Sequence, residues 1–152
     1  MTIMEPARPR EQRKQDVLDR LTKDDDLWAA TASPDGRPCL VPLSFLWDRG
    51  TLLMCTRRTN ATARNLTPAG EVRVSLGHTR DVVLIEGTAE LVEGAELATE
   101  SADAFAAKLG GWDPRNGTAW VYLRITPRTV KAWREENELA DRELMRDGAW
   151  LV

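Results

Sequence analysis

Apolar and polar residues alternate along most of this chain in short runs, which are separated by turn residues. A period of two is typical of strands that bury one face, whereas a spacing of three to four is typical of amphipathic helices. The pattern predicts strands at 27–33, 39–48, 51–56, 71–77, 81–93, 119–126 and 129–133. It predicts helices at 11–22, 61–66 and 94–110, and either a charged helix or an irregular tail at 136–148.

Turn residues join the first strands as hairpins. Asp35-Gly36 can adopt positive φ between the first two strands, and Arg49-Gly50 joins the second strand to the third. Strands joined by such turns pair antiparallel. The sequence therefore predicts a mainly β (α+β) fold, in which five or six antiparallel strands form a small barrel with helices on its outside.

Three residues within the predicted strands restrict how those strands pair. Pro42 lacks an N–H, so its segment is expected at an edge, at a bulge or facing a ligand. Gly87 lies in the middle of a long strand, where glycine indicates a bulge or a close backbone approach. Pro127 is expected to separate the last two strands. Glu86, beside Gly87, is expected to pair with an arginine.

Composition limits the function classes. A chain of 152 residues suits a single domain over 1–152, with 1–26 as an N-terminal helix and lead-in. The net charge of −3 argues against a large nucleic-acid footprint, and the apolar runs are too short to span a membrane. The N-terminus has no apolar core of a signal peptide, so a cytoplasmic location is expected.

The cysteine and histidine content predicts no metal site. Cys39 and Cys55 fall within strands and are expected to be buried free thiols. His78 is the single histidine, and its spacing from the cysteines matches no set of metal ligands.

The segment "TRRTNATARNL" (56–66) is the strongest candidate for a binding site. It follows an apolar strand and begins a short helix, for which Thr59 or Asn60 would be a good N-cap. Its neutral donors and its cations could together bind a phosphate monoester. They are Thr59, Asn60 and Thr62, and Arg57, Arg58 and Arg64. A capped surface helix with solvated arginines explains the same residues, and composition leaves both interpretations open.

The order of motifs around this segment is similar to that of a known family. Residues 35–76, "DGRPCLVPLSFLWDRGTLLMCTRRTNATARNLTPAGEVRVSL", resemble the FMN-binding split-barrel family of pyridoxamine 5′-phosphate oxidase. "RDVVLIEGTAELVE" resembles the family's next strand, and Trp133, Arg142 and Trp150 resemble its C-terminal pattern. The resemblance implies a split β-barrel of about six antiparallel strands with flanking helices, and a homodimer that holds FMN at its interface.

The resemblance also implies roles for individual residues. Val41, Pro42 and Leu43 would run beside the isoalloxazine ring, and Cys55 and Thr56 would close over it. The phosphate turn would contain Asn60, Ala61 and Thr62, flanked by Arg57, Arg58, Thr59, Arg64 and Asn65. The C-terminal tail (134–152) would reach the cofactor site, where Trp133 and Arg142 would contact a flavin held mainly by the partner subunit.

Two departures from the family pattern affect the expected substrate. The oxidase has Arg-Lys in the phosphate turn, where this chain has Ala61-Thr62. The oxidase grips its substrate with an Arg-x-His pair, where this chain has Glu138 and Ala140. We therefore expect a substrate other than pyridoxine phosphate. Relatives that use the deazaflavin F420 share the barrel and a helix resembling Arg64-Asn65-Leu66, so F420 is the alternative cofactor.

The sequence thus predicts an FMN- or F420-dependent oxidoreductase that acts on a small organic substrate. Flavins perform the hydride chemistry themselves, so no catalytic residue is assigned. The alternatives are a non-catalytic flavin- or haem-binding module and a cofactor-free dimeric scaffold. Neither nucleic acid nor a membrane is an expected partner.

Overall fold

A closed antiparallel barrel forms the centre of the computed structural model, which describes residues 5–152. Its strands are β1 (Asp26–Ala32), β2 (Pro38–Asp48), β3 (Thr51–Arg57), β4 (Ala69–Leu76), β5 (Val82–Val92), β6 (Trp120–Trp133), β7 (Glu143–Arg146) and β8 (Ala149–Trp150). They pair in the order β3-β2-β1-β4-β5-β6-β7-β8, and β3 also pairs with β6. That last pairing closes β1 to β6 into a six-stranded ring, which confirms the predicted mainly β split barrel.

Three helices flank the barrel within the described residues: α1 (Arg10–Lys23), α2 (Ala61–Asn65) and α3 (Thr99–Lys108). Helix α1 buries Val17 and Leu21 in the main core, which fills the barrel. Helix α3 packs Phe105 against Leu53 and Tyr122 in a second, smaller cluster. Since neighbouring residues of a strand face opposite sides, this second cluster lies on the outer side of β3 and β6.

The predicted positions of Pro42 and Gly87 are confirmed. Residues 38–44 of β2 pair with β1 alone, so Pro42 lies on an unpaired edge. The register between β5 and β6 shifts at Gly87, and a Cβ there would lie 2.6 Å from the Thr126 carbonyl oxygen. The close backbone approach at this bulge therefore requires glycine at position 87. Glu86 pairs with Arg73 at 3.4 Å, also as expected.

The predicted break at Pro127 is wrong, because β6 runs without interruption from Trp120 to Trp133. Pro127 lies opposite Gly87 at the bulge. On the side of β6 that faces away from β5, the pairing with β3 ends at Ile125 and the pairing with β7 begins at Val130. The missing N–H of Pro127 therefore falls where no neighbouring strand continues the ladder.

Two predictions are corrected by the structure: the nature of the segment 136–148 and the length of α3. Residues 136–148 form neither a helix nor an irregular tail: a 3₁₀ turn at Glu136–Glu138 is followed by the β7–β8 hairpin, which extends the sheet beyond β6. Buried Leu144 and Met145 hold this hairpin against the core. Helix α3 is shorter than the predicted 94–110, since the residues before Thr99 form turns.

Two further expectations have mixed outcomes. Both cysteines are free thiols, but Cys39 and Cys55 are half-buried rather than fully buried. The first four residues of the predicted lead-in (1–26) lie outside the described residues, and α1 confirms the helix predicted at 11–22. Within 5–152, no helix is both long and apolar enough to cross a membrane.

Replacing Gly87 with alanine tests the close approach at the bulge. We expect Gly87→Ala to lower the free energy of unfolding by about 2 kcal/mol, because the new methyl group would overlap the Thr126 carbonyl and the Ile125 side chain. Urea denaturation measures the change. Thr88→Ala, at the exposed neighbouring position, is the control and should change stability by less than about 0.5 kcal/mol. Equal stability of the two variants would contradict this interpretation of Gly87.

Candidate functional site

The barrel opens between β2 and β3. These strands pair only between residues 45–48 of β2 and residues 51–54 of β3. The preceding half of β2, residues 38–44, separates from β3 and pairs with β1 alone. The short helix α2 lies against β1, β2 and β3 at this opening. One polar contact reaches each strand: Asn65 Nδ2 to Thr31 Oγ1 at 3.1 Å, Thr62 Oγ1 to Cys39 Sγ at 3.8 Å and Asn60 Nδ2 to Thr56 Oγ1 at 3.0 Å.

These contacts give several of the predicted phosphate-binding residues a structural role. Thr62 and Thr56 are only 2% and 3% exposed, so their hydroxyls lie inside the protein surface. Thr59 and Asn60 are exposed. Asn60 occupies the N-cap position of α2, but its side chain bonds to Thr56 rather than to the helix backbone. The exposed donors of the turn are therefore fewer than its sequence suggests.

The three arginines of the turn have different partners. Arg58 forms a bidentate ion pair with Glu93 and donates to the Thr118 carbonyl at 2.7 Å. The Arg57 guanidinium lies 5.0 Å from the centre of the Trp120 ring, and Arg64 donates to the Thr59 carbonyl. Within residues 5–152, neither Arg57 nor Arg64 forms an ion pair with a carboxylate. These two exposed cations remain able to bind an anion.

The free half of β2 offers backbone groups next to this turn. Val41 and Leu43 are half-buried and Pro42 is exposed. Because 38–44 pairs on one side only, the strand's other edge has backbone groups without a strand partner among the described residues. The predicted ring-binding segment therefore has the unpaired backbone that such a role requires.

Cys55 and Thr56 cannot both cover one ring with their side chains. They are consecutive residues of β3 and so face opposite sides. Cys55 packs against the outer cluster under α3, whereas buried Thr56 bonds to Asn60. Burial raises the pKa of the Cys55 thiol to about 12, so the thiol is neutral and unreactive at physiological pH.

Trp133 and Arg142 lie together but far from the turn. The Arg142 guanidinium lies 5.7 Å from the centre of the Trp133 ring and donates to the Leu139 carbonyl at 3.1 Å. Trp133 is the last residue of β6 and pairs with Val82, whereas Arg57, in the turn segment, pairs with Trp120 at the other end of β6. The turn and Trp133 therefore lie at opposite ends of one long strand.

An ion-pair network that the sequence analysis missed holds the segment after Trp133. Glu138 is 2% exposed and accepts hydrogen bonds from the Arg8 guanidinium at 2.7 and 3.0 Å, and from the backbone N–H groups of Arg8 and Arg134. Buried Arg13 donates to the Glu138 carbonyl at 2.9 Å. The Arg8 hydrogen bonds lower the pKa of Glu138 to about 2.

This network changes the interpretation of Glu138. The sequence suggested that Glu138 repels anions at a substrate-binding position. In the structure its carboxylate is buried in an ion pair with Arg8 and is not exposed to a substrate. No local pattern could have shown this, because Arg8 is 130 residues away. Arg8 also pairs with Asp16 at 2.8 Å, which holds the residues just before α1 against that helix.

Comparison with known proteins agrees with this fold. The family model described as "Pyridoxamine 5'-phosphate oxidase" matches residues 14–134. General Stress Protein 26 from Bacillus anthracis is 20% identical, with 81% of this chain and 95% of that chain covered and a TM-score of 0.65. No curated protein matches the sequence.

Two further solved structures have the same fold. An F420 Reductase is 20% identical, with 74% of this chain and 93% of that chain covered and a TM-score of 0.60. HupZ from Group A Streptococcus is 21% identical, with 80% and 94% covered and a TM-score of 0.61. At these identities the likeness shows the fold alone. Over residues 5–152, no group of three His, Cys, Asp or Glu side chains is placed to hold a metal ion.

Replacing Glu138 with glutamine tests the buried network through its pH dependence. The folded-state pKa is lowered, so the stabilisation is fully present above the ordinary value of 4.5 and is lost as the pH falls towards about 2. We expect Glu138→Gln to lower the free energy of unfolding by about 3 kcal/mol at pH 7 and by about half as much at pH 3. Urea denaturation at both pH values measures the difference.

Glu135→Gln is the matched control. Glu135 pairs with the exposed Arg80 at 2.8 Å, and such surface pairs contribute about 1 kcal/mol or less. A pH-independent loss in Glu138→Gln, or an equal loss in the two variants, would contradict the role assigned to the Glu138 carboxylate.

Proposed function

The chain belongs to the pyridoxamine 5′-phosphate oxidase family, and we propose that it is an oxidoreductase that acts on a small organic substrate through bound FMN. The observation that carries this proposal is the unpaired half of β2 beside a turn with two unpaired arginines. A location in the cytoplasm is part of the same proposal. The proposal includes neither nucleic acid nor a membrane as a partner.

The residues at the opening fit a flavin mononucleotide. Arg57 and Arg64 supply positive charge and several donors for a phosphate, together with exposed Thr59 and Asn60. The free edge of β2 supplies backbone donors and acceptors for the polar edge of the ring, and Pro42 can only accept there. Half-buried Val41 and Leu43 supply apolar contact.

When bound, FMN would supply the hydride transfer, and the protein would bind, orient and shield it. Arg57 and Arg64 would fix the phosphate end. The β2 edge would set the orientation of the ring. Trp133 and Arg142 of a partner subunit would cover the ring and limit the access of water, since within one chain Trp133 lies at the end of β6 opposite to the end that pairs with Arg57.

The substrate proposed is not pyridoxine phosphate. Glu138 is buried in the network with Arg8, and Ala140 has neither charge nor a ring nitrogen. The two positions at which the oxidase grips its substrate therefore provide no cation for a phosphate. Arg142 is an exposed cation in the same segment.

A homodimer is part of the proposal, because the predicted site needs residues from two chains. The outer face of β1 and β2 carries a strip of apolar side chains that could form its interface. We call Trp28, Ala30, Leu40 and Pro42 the apolar strip; Trp28 lies opposite Pro42, and Ala30 lies opposite Leu40. Leu40 is 64% exposed and Trp28 is 48% exposed. Burial against a second copy would remove this surface from water, next to the ring-binding segment.

Two observations favour specific alternatives. The Arg64-Asn65-Leu66 helix and the likeness to an F420 Reductase favour F420 as the cofactor. The absence of lysine from the turn favours a module that binds a flavin or haem without turnover, or a cofactor-free dimeric scaffold. Titration with each cofactor separates these alternatives, and turnover separates an enzyme from a carrier.

Cofactor titration tests the role of the two unpaired arginines. We expect purified protein to bind FMN with micromolar or lower Kd, and Arg57→Gln and Arg64→Gln each to weaken binding about tenfold or more, because each removes a charge-assisted hydrogen bond to phosphate. Flavin fluorescence measures the affinity. Arg49→Gln, at the exposed turn between β2 and β3, is the control and should retain the wild-type affinity for FMN. Preferential binding of F420 would establish that alternative, and binding of neither would support the scaffold.

Light scattering tests the dimer. Wild-type protein should have the mass of two chains, and Leu40→Glu should produce a monomer, because a charge in the apolar strip would be buried without a partner. The same variant should lose cofactor affinity if the partner's Trp133 and Arg142 complete the site. Ala107→Glu, on the exposed face of α3, is the matched control and should remain dimeric. A monomeric wild-type protein would contradict the shared site.

A further inference from the structure

A second cleft lies on the outer side of the barrel, away from the free half of β2. It has a volume of about 400 Å³ and lies between the end of β5, the loop before β6 and β6 itself. Trp120 and Tyr122 line it, and the charged residues at its rim are Arg58, Glu93 and Arg115. Tyr122 belongs to the cluster under α3, so the cleft is on the opposite side of β6 from the main core.

The hydroxyl of Tyr122 is the unusual feature of this cleft. The residue is 1% exposed, and its oxygen has no hydrogen-bond partner among the described residues. Buried polar groups in native proteins nearly always have a partner. Burial also raises the pKa of Tyr122 to about 12, so the hydroxyl keeps its proton and can donate it. An acceptor supplied from the cleft would satisfy this group.

The charges at the rim indicate the charge of the occupant. Arg58 is paired with Glu93, and Arg115 is paired at 2.7 Å with both Asp103 and Asp113. Both arginines that line the cleft are thus paired with carboxylates. Among the residues that line the cleft, an anionic ligand would therefore find no cation without a carboxylate partner. A neutral molecule fits better.

The walls indicate its shape. The Trp120 ring is fixed by Trp112, which meets it edge-on with ring centres 4.8 Å apart. Gly94 lines the cleft opposite, where an added Cβ would lie 3.3 Å from Arg115 Cγ and 3.8 Å from the Tyr122 ring. The absence of a side chain at this position keeps the cleft open beside the tyrosine. Aromatic walls suit a planar ring.

We propose that this cleft binds a neutral aromatic molecule whose carbonyl oxygen accepts a hydrogen bond from the Tyr122 hydroxyl. Trp120 provides the apolar contact, and Gly94 provides the room. The cleft borders the turn, because Arg58 lines it and Arg57 lies against the Trp120 ring. The contacts proposed for the aromatic molecule come from Tyr122, Trp120 and Gly94. The contacts proposed for the flavin come from Arg57, Arg64 and the free edge of β2, so separate variants test the two sites.

NMR titration of the purified protein with acetophenone tests this site. Acetophenone is neutral and planar and carries one carbonyl; toluene has the ring without the acceptor, and benzoate adds a negative charge. We expect acetophenone to bind with a millimolar or lower Kd and to shift the indole resonance of Trp120. Toluene and benzoate should bind at least fivefold more weakly.

Two variants separate the hydrogen bond from the shape of the cleft. Tyr122→Phe should weaken acetophenone binding five- to tenfold and leave toluene binding unchanged, while its thermal stability stays equal or rises because an unpaired hydroxyl is removed. Gly94→Ala should weaken both ligands. Thr88→Ala, at an exposed position on β5 outside the cleft, is the control and should bind both ligands with the wild-type affinity. Failure of acetophenone to bind, or equal acetophenone affinity in wild type and Tyr122→Phe, would overturn the proposal. FMN titration of the same variants should give the wild-type Kd.

Discussion

The pairing of β3 with β6 is the constraint on which the rest of this structure depends. β3 pairs with β6 from Leu52 to Arg57, but with β2 only as far as Met54. The first pairing closes the barrel, and the incomplete second pairing leaves β2 with a free edge. Closure removes most unpaired strand edges, so the edge that remains stands out as a place for ligand or partner contacts. The opening is thus a consequence of strand register rather than of any single side chain.

Polar residues at this opening have two roles: some hold α2 in place, and others are free to contact a ligand. Asn60, Thr62 and Asn65 tie α2 to three strands, and their contacts fix the turn before any ligand arrives. Arg57 and Arg64 remain outside this set of contacts. A site whose framework is held by internal hydrogen bonds loses less conformational entropy when a ligand binds. The same principle applies to the C-terminal segment, where buried Glu138 and Arg8 hold the loop that carries Arg142.

Local patterns in the sequence were sufficient for most of the barrel. Alternation identified β1 to β5, and Asp35-Gly36 identified the first hairpin, because both signals act over a few residues. Pro42 and Gly87 were informative for the same reason: a missing N–H and a missing Cβ limit pairing wherever the residue lies. The order of motifs from Asp35 to Leu76 indicated the family, and the match over 14–134 agrees with it.

Contacts between distant residues decided what the sequence did not show. Pro127 is accommodated within β6 because β3 and β7 both stop short of it, and the tail forms strands because β6 offers a free edge. Arg8 neutralises Glu138, and Glu93 neutralises Arg58, across 130 and 35 residues of sequence. Tyr122 has a buried hydroxyl only because α3 and the loop before β6 cover it. The sequence by itself determined which segments could be strands and turns; the tertiary structure decided which charges and edges remained free, because a residue's partners depend on the whole fold.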